Sequence, residues 1–384
     1  MPHLQSPALA KGMPDVLVIG AGVFGLSTAR AAAEAGMAVA LVEAAQVGSG
    51  ASGGVLGALM PHMPARWNAK KAFQFRALAG LEGHIARLEA ETGLETGYRR
   101  CGRVLPITTA DLLAHHHARA AEARTHWNTG LTGFSYEIEQ ASEHAAWLAP
   151  EAAPFGVVRE TLAARISPRR YLKALAHSFA TRGRLITAAP VASISSNSAA
   201  PAITLADGQV LSAGSIVLAQ GFSSFAMLEA LTGKPLGEGE KGQALRVAAP
   251  DLSGMPAVYC DGLYVVPHGD GTVAIGSTAI AGRTDTEAEP GPAAALLARA
   301  IRFCPALAGR ELVETWAGVR PKPFGRDPLV GRIPGLDGIL AATGGFKISF
   351  GIAHLVGGAL AAELAGKEPE HPLPPTFHAS AHFA

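Results

Sequence analysis

The first apolar run of the chain, Val16-Leu17-Val18-Ile19, breaks at a cluster of glycines, Gly20, Gly22 and Gly25. A small-residue stretch of helical character follows, then a second apolar run, Val39-Ala40-Leu41-Val42, closed by Glu43. Short unbroken apolar runs bounded by glycine predict strands buried on both faces. Their alternation with a helix predicts a parallel βαβ unit over residues 15–43. Ser215-Ile216-Val217-Leu218-Ala219, ending at Gly221, has the same character and predicts a further strand of that sheet. So does the run Gly338 to Gly345, which leads into a helix beginning near Ser349.

Between these units the period changes. Phe73, Leu78, Leu81, Ile85 and Leu88 recur at three- and four-residue steps and predict a helix from Lys70 to about Leu94. Further helices are predicted from Ala110 to about Trp127, from Arg170 to Thr181 behind Ser167-Pro168, and from Ala293 to Arg302. Strands are predicted at 103–107, 184–187, 191–195, 202–205 and 209–211, with Asp207-Gly208 as a hairpin turn. From Lys241 onward the pattern is β: 242–248, 258–260, 262–267 and 272–276, then 312–316. The tail 367–384 is rich in Pro and His and predicts a loose terminus. The fold expected is α/β: a Rossmann-like nucleotide-binding domain interleaved with an antiparallel β-sheet substrate domain. Residues 1–85, 150–225 and 315–384 are assigned to the first, and 86–149 and 226–314 to the second.

Composition narrows the class. Of 384 residues, 48% are hydrophobic and 16% charged, with a net charge of +1. Near-neutrality gives no reason to expect nucleic acid or an anionic membrane as partner. Cys101, Cys260 and Cys304 are scattered and odd in number, which predicts buried thiols in a reducing compartment. Residues 1–13 lack the charged start and apolar core of a secretion signal. The apolar stretch from about Ile352 to Ala365 is too short to cross a bilayer. A cytoplasmic protein is expected, with homo-oligomerisation left open.

The glycines carry the first chemistry. Gly20 permits a tight turn, Gly22 lets the backbone approach a pyrophosphate, and Gly25 lets helix and sheet pack closely. The helix N-terminus then presents unpaired N–H groups to the phosphates. Glu43 stands where a carboxylate accepts the ribose hydroxyls of an adenosine. These features predict an adenine dinucleotide and leave NAD and FAD open. A nicotinamide enzyme usually completes its site in one compact N-terminal domain. Here the glycine-rich elements are spread over residues 20–25, 48–57, 219–221 and 344–351. A long cofactor touched by both ends of the chain fits FAD better. The helix near Ser349 would turn its positive end to the flavin N1–C2=O edge.

Taken together, DVLVIGAGVFGLSTA, GSGASGG, VLAQG, Trp316-Ala317-Gly318-Val319-Arg320-Pro321 and ATGGFKISFGIAHLVGGALAAEL resemble the D-amino-acid oxidase superfamily of flavoproteins. Within it, glycine oxidase and related bacterial amino-acid oxidases and dehydrogenases are most similar. The cofactor-binding residues expected on this reading are Gly20, Gly22, Val23, Phe24, Gly25, Glu43, Ala44, Ser49, Ser52, Gly53, Gly54, Val55, Val191, Gly221, Phe346, Lys347, Ile348 and Ser349. The resemblance implies a substrate amino acid lying over the flavin, its carboxylate held by an arginine and a tyrosine. Those positions fall on Arg320 and Tyr264. An arginine offers a planar fork to a carboxylate, and a tyrosine adds an O–H donor.

Lys347 stands where glycine oxidase has a second arginine, and Gly262 where it has a histidine. Lys347 keeps the charge without the fork and has three candidate roles: the carboxylate, the flavin, or dioxygen. The stretch PKPFGRDPLVGRIP holds no cysteine, so the flavin is expected to be non-covalent. The reaction implied is hydride transfer from the substrate Cα to flavin N5, giving an imine that hydrolyses. Glycine, sarcosine or a small D-amino acid is the substrate type, with dioxygen or another compound as electron acceptor.

Other readings compete. Arg320 could serve a structural ion pair, Tyr264 the core, and Lys347 a solvated surface. Gly50-Ala51-Ser52-Gly53-Gly54 matches the G-x-S-x-G of hydrolases but lacks the strand that must precede it. His115-His116-His117 point in different directions on a helix, which predicts a solvated face and no metal site. His62 and His268 border the predicted site and read first as structural. A flavin monooxygenase of similar fold, or a nicotinamide dehydrogenase, are the alternatives to an amine-oxidising flavoenzyme.

Overall fold

The computed structural model describes residues 12–196 and 200–384. Most of the segment read for a secretion signal lies outside the described residues. A six-stranded sheet runs in the order Leu329–Arg332, Ile339–Thr343, Ser215–Leu218, Val16–Ile19, Val39–Val42, Arg184–Ile186. All neighbours are parallel except the first pair. The unbroken apolar runs follow from burial on both faces. Val16 and Val18 enter the core beneath the helices. Leu17 and Ile19 enter a second core shared with Ile203 and Leu205 of the small three-stranded sheet on the other side.

The helices Val23–Glu34 and Ser349–Leu364, from opposite ends of the chain, pack against each other on this sheet. Gly357 makes that closeness attainable, because a Cβ there would stand 2.5 Å from the carbonyl oxygen of Ser27. Helix Ala69–Thr92 is capped at its start by Asn68, whose side chain accepts from the N–H of Lys71, and ends on left-handed Gly93.

The second layer is a nine-stranded sheet. Seven of its strands run in the order Gly237–Ala248, Thr272–Gly276, Leu263–Pro267, Ala257–Cys260, Arg103–Pro106, Val157–Glu160, Tyr136–Glu139. The short Ile280–Ala281 strand and the long Leu312–Pro323 strand both pair with Gly237–Ala248. Pairing is antiparallel throughout except where Ala257–Cys260 meets Arg103–Pro106. Two segments assigned by sequence to the nucleotide-binding part, Val157–Glu160 and residues 315–323 of the Leu312–Pro323 strand, are hydrogen-bonded members of this larger sheet.

Two expectations are corrected. The C-terminal tail is not loose: Phe377 is fully buried and packs edge-on against Phe73, with Leu373 and Ala379 buried beside it. Proline and histidine content suggested solvent, but the few apolar residues anchor the segment. Of the three adjacent histidines, His115 and His117 are exposed, whereas His116 is buried and its Nδ1 lies 2.7 Å from the Tyr136 hydroxyl. One side of that helix belongs to the core.

Candidate active site

The carboxyl ends of Val16–Ile19, Val39–Val42 and Ser215–Leu218 open onto a cleft of about 1000 Å³ between the two sheets. Gly20 turns out of the first strand with φ +105°, and a Cβ there would stand 2.5 Å from the Ala219 carbonyl oxygen. A Cβ on Gly25 would overlap the carbonyl oxygen of Gly20, so glycine is required for helix and turn to meet. The first helical hydrogen bond runs from Leu26 N–H to Gly22 O, at 3.0 Å. Earlier N–H groups have no partner within the helix. One of them, Val23 N–H, donates to Ser52 Oγ at 3.1 Å, so the Gly/Ser loop caps a helix that lacks a cap of its own.

Glu43 ends its strand buried at the same edge. Its carboxylate accepts from the backbone N–H of Ala21 (2.7 Å) and of Ala45 (3.0 Å) and from Ser49 Oγ (3.0 Å). Those bonds hold it rigid, and because each oxygen has two lone pairs, acceptor capacity remains for a further hydroxyl. At the far end Thr343 Oγ1 donates to Gly221 O at 2.7 Å, joining the ends of two neighbouring strands. Gly344 and Phe346 take positive φ (+74° and +46°) in the turn that leads into the Ser349–Leu364 helix. Gly345 leaves room for the Phe24 ring.

Arg320 lies in the long Leu312–Pro323 strand, directly opposite Glu240. Its Nη1 donates to the Thr278 carbonyl at 3.1 Å and stands 3.5 Å from Glu240 Oε1. The guanidinium occupies the space above Gly242, where a Cβ would overlap it. Burial pulls its pKa down, and Glu240 opposes that pull. Tyr264 packs against Tyr259 with ring centroids 4.7 Å apart, and burial pushes its phenol up to about 12, so it stands as a neutral donor. Lys347 opens to the cleft beside the Phe346 ring. Desolvation at the wall, then Arg320, lowers its pKa.

The cleft gathers most of the residues read from sequence: Gly20, Gly22, Val23, Phe24, Glu43, Ala44, Ser49, Ser52, Gly54, Val55, Val191, Gly221, Tyr264, Arg320, Phe346, Lys347, Ile348 and Ser349 all line it. Gly25 and Gly53 stand behind the wall. A Cβ on either would overlap a backbone carbonyl, of Gly20 and Gly48 respectively, so both shape the lining from behind.

Residues 15–362 match the DAO family model, described as FAD dependent oxidoreductase. The chain belongs to the DAO family of FAD-dependent oxidoreductases. It is 29% identical over 372 residues to glycine oxidase of Geobacillus kaustophilus, covering 94% of this chain and 95% of that one. Glycine oxidase of Bacillus licheniformis is 27% identical, with 92% and 93% covered. The crystal structure of the Geobacillus kaustophilus glycine oxidase shares the fold with a TM-score of 0.86 at 24% identity, covering 96% of this chain and 99% of that chain. Iminodiacetate oxidase from Chelativorans sp. BNC1 shares it with a TM-score of 0.82 at 22% identity, covering 93% and 97%.

The cofactor is FAD, and the cleft suits it. The side-chain-free surface at Gly20 and Gly22, the helix N–H groups and the Ser52 hydroxyl fit a pyrophosphate. Glu43 fits a ribose. None of the three cysteines lines the cleft.

Several residues of the site were not singled out from sequence. Glu240 is buried at 7% exposure beside Arg320, and Gly242 makes the guanidinium's room. Arg103 also lines the cleft, at 3% exposure, with its Nε 2.9 Å from the fully buried Glu160 and its Nη2 donating to Pro61 O at 3.1 Å. For Arg103 the sequence carries a signal, an arginine opening an apolar strand; Glu240, flanked by Glu238, Lys241 and Gln243, has none. His62 lines the cleft, and burial first, then Lys70 and Lys71, lower its pKa to about 4. His268 is a structural residue, its Nε2 3.1 Å from Leu56 O.

Proposed function

We propose that this chain is an amino-acid oxidase or dehydrogenase that oxidises the C–N bond of a small amino acid or secondary amine, of glycine, sarcosine or D-amino-acid type. One observation carries the reading. The Arg320 guanidinium, seated in the room left by Gly242, lines the same cleft as Tyr264, Lys347 and the helix turn at Ser349. A planar cation with a neutral phenol donor beside it recognises a carboxylate. FAD, when bound, supplies the acceptor for a hydride from the substrate Cα.

The chain's own residues orient the substrate. Arg320 and Tyr264 hold the carboxylate, and Lys347 adds a point charge. Among the described residues no acid–base pair faces the cleft in the manner of a catalytic dyad: Glu160 is tied to Arg103, and Glu240 to Arg320. The substrate amine would therefore react as its neutral form, and the imine product would hydrolyse in water. Dioxygen or another acceptor takes up the electrons. The absence of any cysteine from the cleft lining supports a non-covalent FAD, and three free thiols suit a cytoplasmic enzyme. Among the described residues no helix is long and apolar enough to cross a membrane.

Arg320→Leu tests the assignment. The expected result is retained flavin absorbance with a KM for amino-acid substrates raised by two orders of magnitude or more. Loss of flavin with an unchanged KM in the remaining holoenzyme would move Arg320 to the cofactor.

A further inference from the structure

Charge around the carboxylate end of the cleft is unusually balanced. Glu240 lies opposite Arg320 across the strand pair, with Oε1 3.5 Å from Arg320 Nη1 and Oε2 3.7 Å from Lys322 Nζ. Lys322 is itself held by Glu238 at 2.7 Å. Lys347 feels Glu240 and Lys322 as well as Arg320. Three cations against two carboxylates leave one positive charge at this end. Farther along the wall, Arg103 and Glu160 form an ion pair at 2.9 Å whose charges cancel. Without Glu240, Arg320 and Lys347 would present two uncompensated cations to the cleft.

From this arrangement, and resting on the reading above that Arg320 receives a carboxylate, we infer that Glu240 sets the substrate class. It restricts the site to amines that carry a single carboxylate and no second anionic group. Glu240 is a positioning residue: its ion-pair partner Arg320 lines the cleft, and it does not. It acts in two ways. It holds Nη1 of a guanidinium that is seated on Gly242, which leaves the side turned away from Gly242 to meet the substrate. It also cancels the charge that a second carboxylate would need. Like charges brought together in a half-buried site repel strongly, so one retained carboxylate discriminates between a monoanion and a dianion.

The test is anion binding to the holoenzyme, read as a perturbation of flavin absorbance, with propionate and malonate as the one-charge and two-charge probes. The proteins compared are the native chain, Glu240→Gln and Glu240→Asp. Gln keeps an acceptor for Arg320 Nη1 and removes the charge, whereas Asp keeps the charge. The native protein is expected to bind propionate more tightly than malonate. Glu240→Gln is expected to improve malonate affinity relative to propionate at least tenfold, and Glu240→Asp to retain the native ratio. A ratio that is the same in all three proteins overturns the inference. So does a native protein that binds malonate as well as propionate, or one whose flavin responds to neither anion. If the ratio shifts as expected but no amine reduces the flavin in any of the three, the proposed amine oxidation fails while the charge assignment stands.

Discussion

Gly242→Ala separates the proposed carboxylate site from the stability of the fold. Gly242 lies in a regular strand, paired with Gly318 across the sheet, and its φ is not in the left-handed region. Alanine is therefore compatible with the backbone, and reduced freedom of the unfolded chain stabilises such a change by roughly 0.4–1 kcal/mol. The added Cβ, however, would overlap the Arg320 guanidinium. The guanidinium is the far end of a flexible side chain, so it yields where a backbone would not. On the proposed assignment of Arg320, moving it would spoil the two-pronged grip on a carboxylate. One charge-assisted hydrogen bond contributes about 1.5–3 kcal/mol, so a loss of about 2–3 kcal/mol corresponds to a roughly 30- to 150-fold weaker carboxylate interaction. Steady-state KM for the best amino-acid substrate, beside the melting temperature and the flavin content of the same preparation, gives the comparison. KM is expected to rise by that factor with Tm unchanged or slightly higher. An unchanged KM, or a fall in both Tm and flavin content, would refute the reasoning that Gly242 exists to seat Arg320.

Further outcomes follow from other parts of the molecule. Gly25→Ala places a Cβ on the carbonyl oxygen of Gly20, so the variant should lose flavin absorbance and melt at lower temperature. A flavin-replete Gly25→Ala would contradict the close-packing argument. Ser52→Ala removes the acceptor of Val23 N–H. Loss of a helix cap typically costs about 1 kcal/mol, and the check is a lower Tm together with weaker FAD retention on dialysis. Burial lowers the pKa of His62 to about 4, of His84 to about 4 and of His354 to about 3. Each is neutral in the fold, while the unfolded chain takes up protons near pH 6.5. Stability is therefore full above that pH and is lost as pH falls toward 4, by on the order of 3 kcal/mol per imidazole. Denaturant midpoints should drop steeply between pH 6.5 and 4; equal midpoints at pH 7.5 and 4.5 would contradict this.

The parts of the fold legible in the sequence were those whose signal is local. Val16–Ile19 and Val39–Val42 announce themselves because both faces are buried, and the glycines between them serve a turn whose geometry depends on near neighbours. The Ser349–Leu364 helix was legible for the same reason. Glu240 was not, because its meaning depends on register with a strand 80 residues away, and no period within Gly237–Ala248 encodes which residue faces Arg320. The strand carrying Arg320 was read as ending at Trp316 and in fact continues to Pro323. Its glycine and prolines mimic a turn, yet the pairing with Gly237–Ala248 keeps it extended. The tail shows the opposite error: composition spoke for solvent, and one buried phenylalanine outweighed it.

In the proposed reaction the cleft brings an amine's Cα to the flavin while Arg320 holds its carboxylate. The most direct measurement is anaerobic titration of the purified yellow protein with glycine, sarcosine, proline and both enantiomers of small amino acids, followed by air. At least one of them is expected to bleach the flavin band without any nicotinamide reductant, and this substrate carries one carboxylate. A flavin that stays oxidised with the whole panel, and bleaches only when a nicotinamide is added, would contradict it.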